Sequence, residues 1–198
     1  PLVYISRLIP KDGLEELYKH CAVKMHAKRT PPGRREFLAN VKTADAVITS
    51  LVERVDEEVF KINPNLKIVA NYAVGFDNID TSAAKKYNIP VTNTAGDYAA
   101  AVAEHALALL LSLAKRVVEG DKFVRAGKYQ AWDPLLLLGN DVRGKTLGII
   151  GTGRIGSALA QISQQGFGLA IIYYDVVRNE QIEKECAARF MPLNDLLS

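Results

Sequence analysis

The sequence is poor in the residues that build covalent and metal-held frameworks. Cys21 and Cys186 are the only cysteines among 198 residues, no Cys-x-x-Cys pair exists, and there are only three histidines. That excludes a disulfide scaffold or a structural zinc site and suits a reducing cytosol, so a cytoplasmic location is expected. No dense run of lysine or arginine is present, and the formal net charge is only +3. Neither nucleic acid nor an anionic membrane surface is therefore the expected partner. The longest apolar stretch, Ala99 to Ala114, is interrupted by Glu104 and His105 and is too short to cross a bilayer. No secretory leader pattern is visible; the chain opens at Pro1 without a methionine. Repeats and low-complexity tracts are absent. Ser157 and Ser163 lack a nucleophile-elbow pattern, which argues against acyl transfer. The carboxylates show no paired, buried context of the hydrolytic kind.

What is present is concentrated in one segment. The apolar run Thr146 to Ile150 feeds directly into Gly151-Thr152-Gly153-Arg154-Ile155-Gly156, a Gly-x-Gly-x-x-Gly pattern. Ser157 to Gln164 then reads as an amphipathic helix, and a second apolar run, Leu169 to Tyr174, ends at Asp175. This order predicts a dinucleotide-binding unit. Gly151 allows the tight turn out of the strand, and Gly153 leaves room for a pyrophosphate to approach the backbone. Gly156 lets the helix pack closely on the sheet, with its N-terminal N–H groups toward the phosphates. Asp175 would accept hydrogen bonds from the ribose hydroxyls of NAD and repel the 2′-phosphate of NADP, although Arg178 nearby would soften that repulsion. The plainer reading is a glycine-rich turn followed by an unrelated surface aspartate.

Upstream, the chain alternates short apolar strands with helical patterns. Val3-Tyr4-Ile5, Ala46-Val47-Ile48, Lys67 to Ala70 and Ile89 to Thr92 read as strands; Gly13 to His20, Val55 to Ile62 and Thr81 to Tyr87 carry helical spacing. Such alternation predicts an α/β fold with a parallel sheet covered by helices on both faces. Thr30-Pro31-Pro32-Gly33 reads as a loop. Ala99 to Val118 reads as one long helix, apolar around most of its circumference and therefore buried. Beyond Gly144 only two clear strands and a short third at Arg189-Phe190 are found, followed by a helix-like Asn194 to Leu197. A complete dinucleotide fold needs about six strands, so the first half of one is expected.

Taken together, "ITSLVERVDEEVF", "LKIVANYAVGFDNID", "IPVTNTAGDYAAAVAEHALALLLSLAKR", "DVRGKTLGIIGTGRIG" and "IIYYD" resemble the D-isomer-specific 2-hydroxyacid dehydrogenases, most closely their glyoxylate/hydroxypyruvate reductase branch. The resemblance covers the whole chain. It implies a flavodoxin-like substrate domain over residues 1–97 and an incomplete Rossmann NAD-binding domain over 98–198. It implies that the N–H groups of Val74 and Gly75 hold the carboxylate of a small 2-oxo or 2-hydroxy acid. Leu51 would line the substrate pocket, and Val102 would lie beside the nicotinamide. Without the resemblance, Gly75 reads as turn geometry and Val102 as helix core. Many relatives carry a small hydroxyl residue where this chain has Val52, which removes that hydrogen bond. The family form is expected to be a homodimer.

The family's catalytic Arg, Glu and His are expected beyond Ser198, and none of the histidines here stands in the matching context. Glu104 and His105 are adjacent on a helix and point about 100° apart, so they cannot face each other as an acid–base pair. His20 and His26 are expected on the surface. The runs at Glu57-Glu58, Lys85-Lys86 and Glu180 to Glu185 read as solvated helix faces. The expected function is therefore NAD-dependent oxidation of small D-2-hydroxy acids or reduction of 2-oxo acids such as glyoxylate or hydroxypyruvate. These 198 residues are expected to be inactive alone. The competing expectation is a non-catalytic, dinucleotide-binding protein of the corepressor kind.

Overall fold

A computed structural model describes residues 1–198, which divide into two compact units, Pro1–Gly96 and Asp97–Ser198. The first is built on five strands: β1 (Leu2–Ile5), β2 (Ala22–Met25), β3 (Ala46–Thr49), β4 (Ile68–Asn71) and β5 (Val91–Asn93). They lie in the order β2-β1-β3-β4-β5, and every ladder is parallel. This is the flavodoxin-like order, in which connections reverse direction between β1 and β3.

The period of two along each strand sorts the apolar residues onto two faces. Tyr4, Val47 and Val69 point into one cluster with residues of α2 (Arg34–Val41), α3 (Glu57–Ile62) and α4 (Thr81–Lys86). Val3 and Ile5 point the other way, toward Leu14 and α1 (Glu15–His20). Helix α2 was not apparent in the sequence, because its apolar residues Phe37, Leu38 and Val41 make a short stripe after a Pro-rich loop. The folded unit recruits it by burying Phe37 and Val41.

The second unit holds α5 (Ala99–Ala114), α6 (Val117–Arg125), β6 (Thr146–Ile150), α7 (Arg154–Phe167), β7 (Ala170–Tyr174), α8 (Glu180–Cys186), β8 (Arg189–Phe190) and α9 (Leu193–Leu196). Its three parallel strands run β6-β7-β8, with helices α7 and α8 as the crossovers. That is one mononucleotide-binding half of a Rossmann sheet. The core joins Ile149, Ile171 and Tyr173 of the sheet to Ala160 of α7 and Ile182 of α8.

Two sequence expectations are corrected here. The helix from Ala99 does not run to Val118. It stops at Ala114, and Arg116 takes a left-handed φ of 55° before α6 begins. The stop is fixed from a distance: the Asn140 N–H donates to the Ala114 carbonyl at 2.8 Å. A Cβ on Gly139 would lie 2.5 Å from that same oxygen, so only glycine permits the approach. Nor is the helix buried all round. Only Ala103 and Leu107 are buried, while Val102, Leu109 and Leu113 are exposed. A helix apolar on every side needs more than one neighbour, and in this unit α7 is the helix packed most extensively against it.

Candidate functional site

The Gly-x-Gly-x-x-Gly segment forms the turn from β6 into α7, and each glycine meets a different constraint. Gly151 has φ +90°, a conformation closed to most L side chains. A Cβ on Gly156 would lie 2.1 Å from the Gly151 carbonyl oxygen, so helix and turn touch backbone to backbone. At Gly153 a Cβ would meet nothing within 4 Å. Gly153 is the N-cap residue of α7, whose N-terminus carries no side-chain cap. Arg154 and Ile155 follow in its first turn, both exposed. The turn is thus closed at Gly156 and open at Gly153, as a cradle for a phosphate group requires.

Asp175 stands just past the end of β7, and its carboxylate reaches across to this turn. Oδ2 accepts from the Thr152 N–H at 2.6 Å and from the Thr152 hydroxyl at 3.0 Å, and Oδ1 accepts from the Val176 N–H at 2.7 Å. Asp175 is thus first of all a tie between the two strand ends, a role not foreseen from the sequence. Asn179 doubles the tie by donating to the Thr152 carbonyl at 2.8 Å and to Ser157 Oγ at 3.1 Å. The Thr152 N–H, then its hydroxyl, then the Val176 N–H hold the Asp175 pKa below the ordinary carboxylate value. The tie therefore contributes stability above the unfolded pKa of about 3.9 and is lost as pH falls through the lower folded value. An NMR titration of the Thr152 amide should move only below about pH 4; a midpoint at or above the ordinary value would refute this.

The other candidate residues gather at the carboxyl ends of β3 and β4. Asn71, at the end of β4, is buried; its Oδ1 accepts from the Thr49 hydroxyl at 2.9 Å, and its Nδ2 donates to the Gly75 carbonyl at 2.8 Å. Asn93 donates to the Val74 carbonyl at 2.7 Å, and the Thr94 N–H donates to the Ala73 carbonyl at 2.9 Å. Three successive carbonyls are thus engaged, while the N–H groups of Val74 and Gly75 are bonded to nothing in the chain. Such N–H groups form a concavity suited to an anion. Gly75 does not have a left-handed φ, so glycine is not required there for turn geometry. Leu51 Cδ2 lies 3.5 Å from the position a Cβ on Gly75 would take, and its side chain is exposed. A cavity of about 410 Å³, lined by Leu14, Leu17, Ile48, Ala70, Tyr72 and Asn93 among others, adjoins this loop. Its lining is largely apolar and suits a hydrocarbon surface better than a carboxylate.

Val102 is 41% exposed on α5 and is not a core residue in this unit. His20 is exposed as expected, and His105 is exposed too, but His26, also expected on the surface, is not: its side chain is only 4% exposed. The ring follows β2 and is enclosed because the Pro-rich loop brings the Thr30 carbonyl to 3.0 Å of Nε2, while α2 brings Glu36 to 3.0 Å of Nδ1. Glu183 is likewise not a solvated residue of an acidic run. It accepts from the Tyr173 hydroxyl at 2.6 Å and from Arg178. Sequence reasoning missed Asn71, Asn93, Thr152 and Asn179, whose side chains position the loops carrying the foreseen residues. Among them only Asn179, just before a helix and shortly after a strand end, carried a local signal as an N-cap.

Residues 3–191 match the family described as D-isomer specific 2-hydroxyacid dehydrogenase, catalytic domain. The glyoxylate reductase of Korarchaeum cryptofilum is 46% identical over 198 residues, covering all of this chain and 59% of that protein. Among solved structures, the TT0316 protein from Thermus thermophilus is similar with a TM-score of 0.90 and 37% identity, over all of this chain and 61% of that one. The D-lactate dehydrogenase of Aquifex aeolicus, solved with NAD and lactic acid, gives a TM-score of 0.77 at 28% identity, over all of this chain and 57% of that one. The chain thus spans roughly three-fifths of the length of these relatives. No helix is long and apolar enough to cross a membrane, and no cluster of three potential metal ligands is present. The chain belongs to the D-isomer-specific 2-hydroxyacid dehydrogenase family.

Proposed function

We propose that the protein carrying this chain is a cytoplasmic, NAD-dependent oxidoreductase that interconverts small D-2-hydroxy acids and 2-oxo acids, with glyoxylate and hydroxypyruvate as first substrates. In this reading residues 1–97 form the substrate domain and 98–198 the dinucleotide domain. Val74 and Gly75 hold the substrate carboxylate through their N–H groups, beside Leu51. Gly151, Gly153, Arg154, Ile155 and Gly156 cradle the pyrophosphate, Asp175 takes the ribose hydroxyls, and Val102 borders the nicotinamide. A bound nicotinamide supplies the hydride chemistry; the residues here bind and orient.

The observation that carries the reading is the contrast within the glycine turn. The space a Cβ would occupy is filled by backbone at Gly156 and empty at Gly153, as expected where one glycine serves packing and the other serves a ligand. NAD is preferred over NADP because a fixed carboxylate stands at Asp175. His20 is paired with Glu16 and His26 with Glu36 and the Thr30 carbonyl, and His105 has no carboxylate three or four residues away on α5. The proton-transfer group is therefore not among these residues, and we propose that they turn over no substrate alone. The exposed apolar residues of α5 suit the subunit contact of a homodimer.

The test is NADH binding followed by reduction of glyoxylate and hydroxypyruvate, made on the longest natural form of the protein. Binding with turnover of either acid is the expected result. Binding without turnover of any 2-oxo acid would favour the corepressor-like alternative, and absence of binding would overturn both.

A further inference from the structure

The segment after β7 holds an ion pair that the glycine turn does not explain. Arg178 donates through Nε to Glu183 Oε1 at 2.9 Å and through Nη2 to Oε2 at 3.1 Å, a two-point contact between the loop and α8. Glu183 is braced from behind by the Tyr173 hydroxyl at 2.6 Å, and that hydroxyl accepts in turn from the Asn179 N–H at 2.9 Å. Tyr173 is fully buried, so this brace is anchored in the core.

Arg178 is the only cation between Asp175 and Lys184. Its neighbours fix where it sits. Asp175 binds the Thr152 N–H, and Asn179 binds the Thr152 carbonyl, so the short step from Asp175 to Arg178 starts and ends against the glycine turn. An arginine there, if free, could extend over the carboxylate of Asp175, where a 2′-phosphate would arrive. A guanidinium is well matched to phosphate by its planar, forked donors. In this structure the fork is already filled by Glu183.

We propose that Glu183 is a positioning residue for cofactor choice: by holding Arg178 in a two-point pair, it withholds the one cation of this segment that would accept NADP. The inference rests on the dinucleotide reading above and adds a second determinant to Asp175. Asp175 repels the 2′-phosphate directly, whereas Glu183 removes the compensating charge. The pair is largely exposed on the Arg178 side, at 66%, and exposed pairs are weak. Freeing the arginine therefore narrows the preference for NAD without inverting it.

The test compares Kd for NADPH and NADH, by nucleotide fluorescence, in the longest natural form of the protein. Glu183→Gln keeps an acceptor for the Tyr173 hydroxyl but removes the charge that holds Arg178. It should tighten NADPH by about two- to fivefold while leaving NADH nearly unchanged. Adding Arg178→Gln should abolish the gain, a result that a merely structural role for Glu183 would not produce. An unchanged ratio in Glu183→Gln, or an equal gain with Arg178 removed, overturns the inference and leaves the dinucleotide reading standing. A wild-type protein that binds neither nucleotide overturns both.

Discussion

Replacing Gly156 by alanine should cost the second unit about 3 kcal/mol or more of stability, while replacing Gly153 should cost almost none and still weaken NAD at least about tenfold. The two glycines share one turn, but only one has backbone against it. The Cβ of Gly156→Ala would lie 2.1 Å from the Gly151 carbonyl oxygen, far inside any real contact. That oxygen cannot yield freely, because Gly151 is itself held by its N–H bond to the Tyr174 carbonyl at 2.8 Å. The helix must lift from the sheet or the turn must open, and either change uncovers Ile149 and Ala160. Gly153→Ala meets nothing and has an ordinary φ of −65°, so it also narrows the unfolded ensemble slightly in the fold's favour. Urea unfolding of the second unit and NADH titration of both variants separate the two effects. Equal stabilities for the two variants would show that the close approach at Gly156 is not what holds the turn.

Asn71→Ala should destabilise the first unit by about 2–4 kcal/mol and raise the KM for a 2-oxo acid by about tenfold or more. The side chain is 1% exposed, and its amide is the hub of a small network. Truncation strands the Thr49 hydroxyl, itself buried, and frees the Gly75 carbonyl. Each stranded buried group costs about 1–3 kcal/mol because no water replaces the lost partner. The loop from Tyr72 to Asp77 would keep Asn93 as its remaining side-chain anchor, at the Val74 carbonyl. The two N–H groups proposed to hold the carboxylate would then no longer be pre-aimed. Thermal unfolding and steady-state kinetics on the same variant give the test. Lost stability with an unchanged KM would mean that the loop does not hold substrate.

The signals legible in the sequence were all local ones. The β6–α7–β7 unit announced itself because its glycines, its helical stripe and its terminal Asp175 lie within 30 consecutive residues, 146–175. Four of the five strands of the first unit were legible for the same reason, since an apolar run reports its own burial; β2, with no fully buried residue, was not. Where these signals were weak or ambiguous, only the folded chain decided. Helix α2 has too small a stripe to be recognised without the sheet that covers it. The end of α5 depends on Asn140, far along the chain from the Ala114 carbonyl that it caps. His26 is buried by partners from a loop and a helix that its own neighbours do not specify.

The same division runs through the candidate site. Residue types at set spacings determined the glycine turn, Asp175 and the parallel α/β class, because each is dictated by backbone sterics or by strand and helix period. Tertiary structure alone decided that Asp175 is engaged by Thr152, that Glu183 holds Arg178, and that Asn71 leaves the N–H groups of Val74 and Gly75 open. The bonds of Thr152 to Asp175 and of Thr49 to Asn71 depend on which polar groups meet when strands distant in sequence are brought side by side, and the local Arg178–Glu183 pair depends on the buried Tyr173 that braces it. A hydrogen bond across 22 or 23 residues, as between Thr49 and Asn71 or Thr152 and Asp175, leaves no periodic trace in the chain. It exists only once the sheet has set its register.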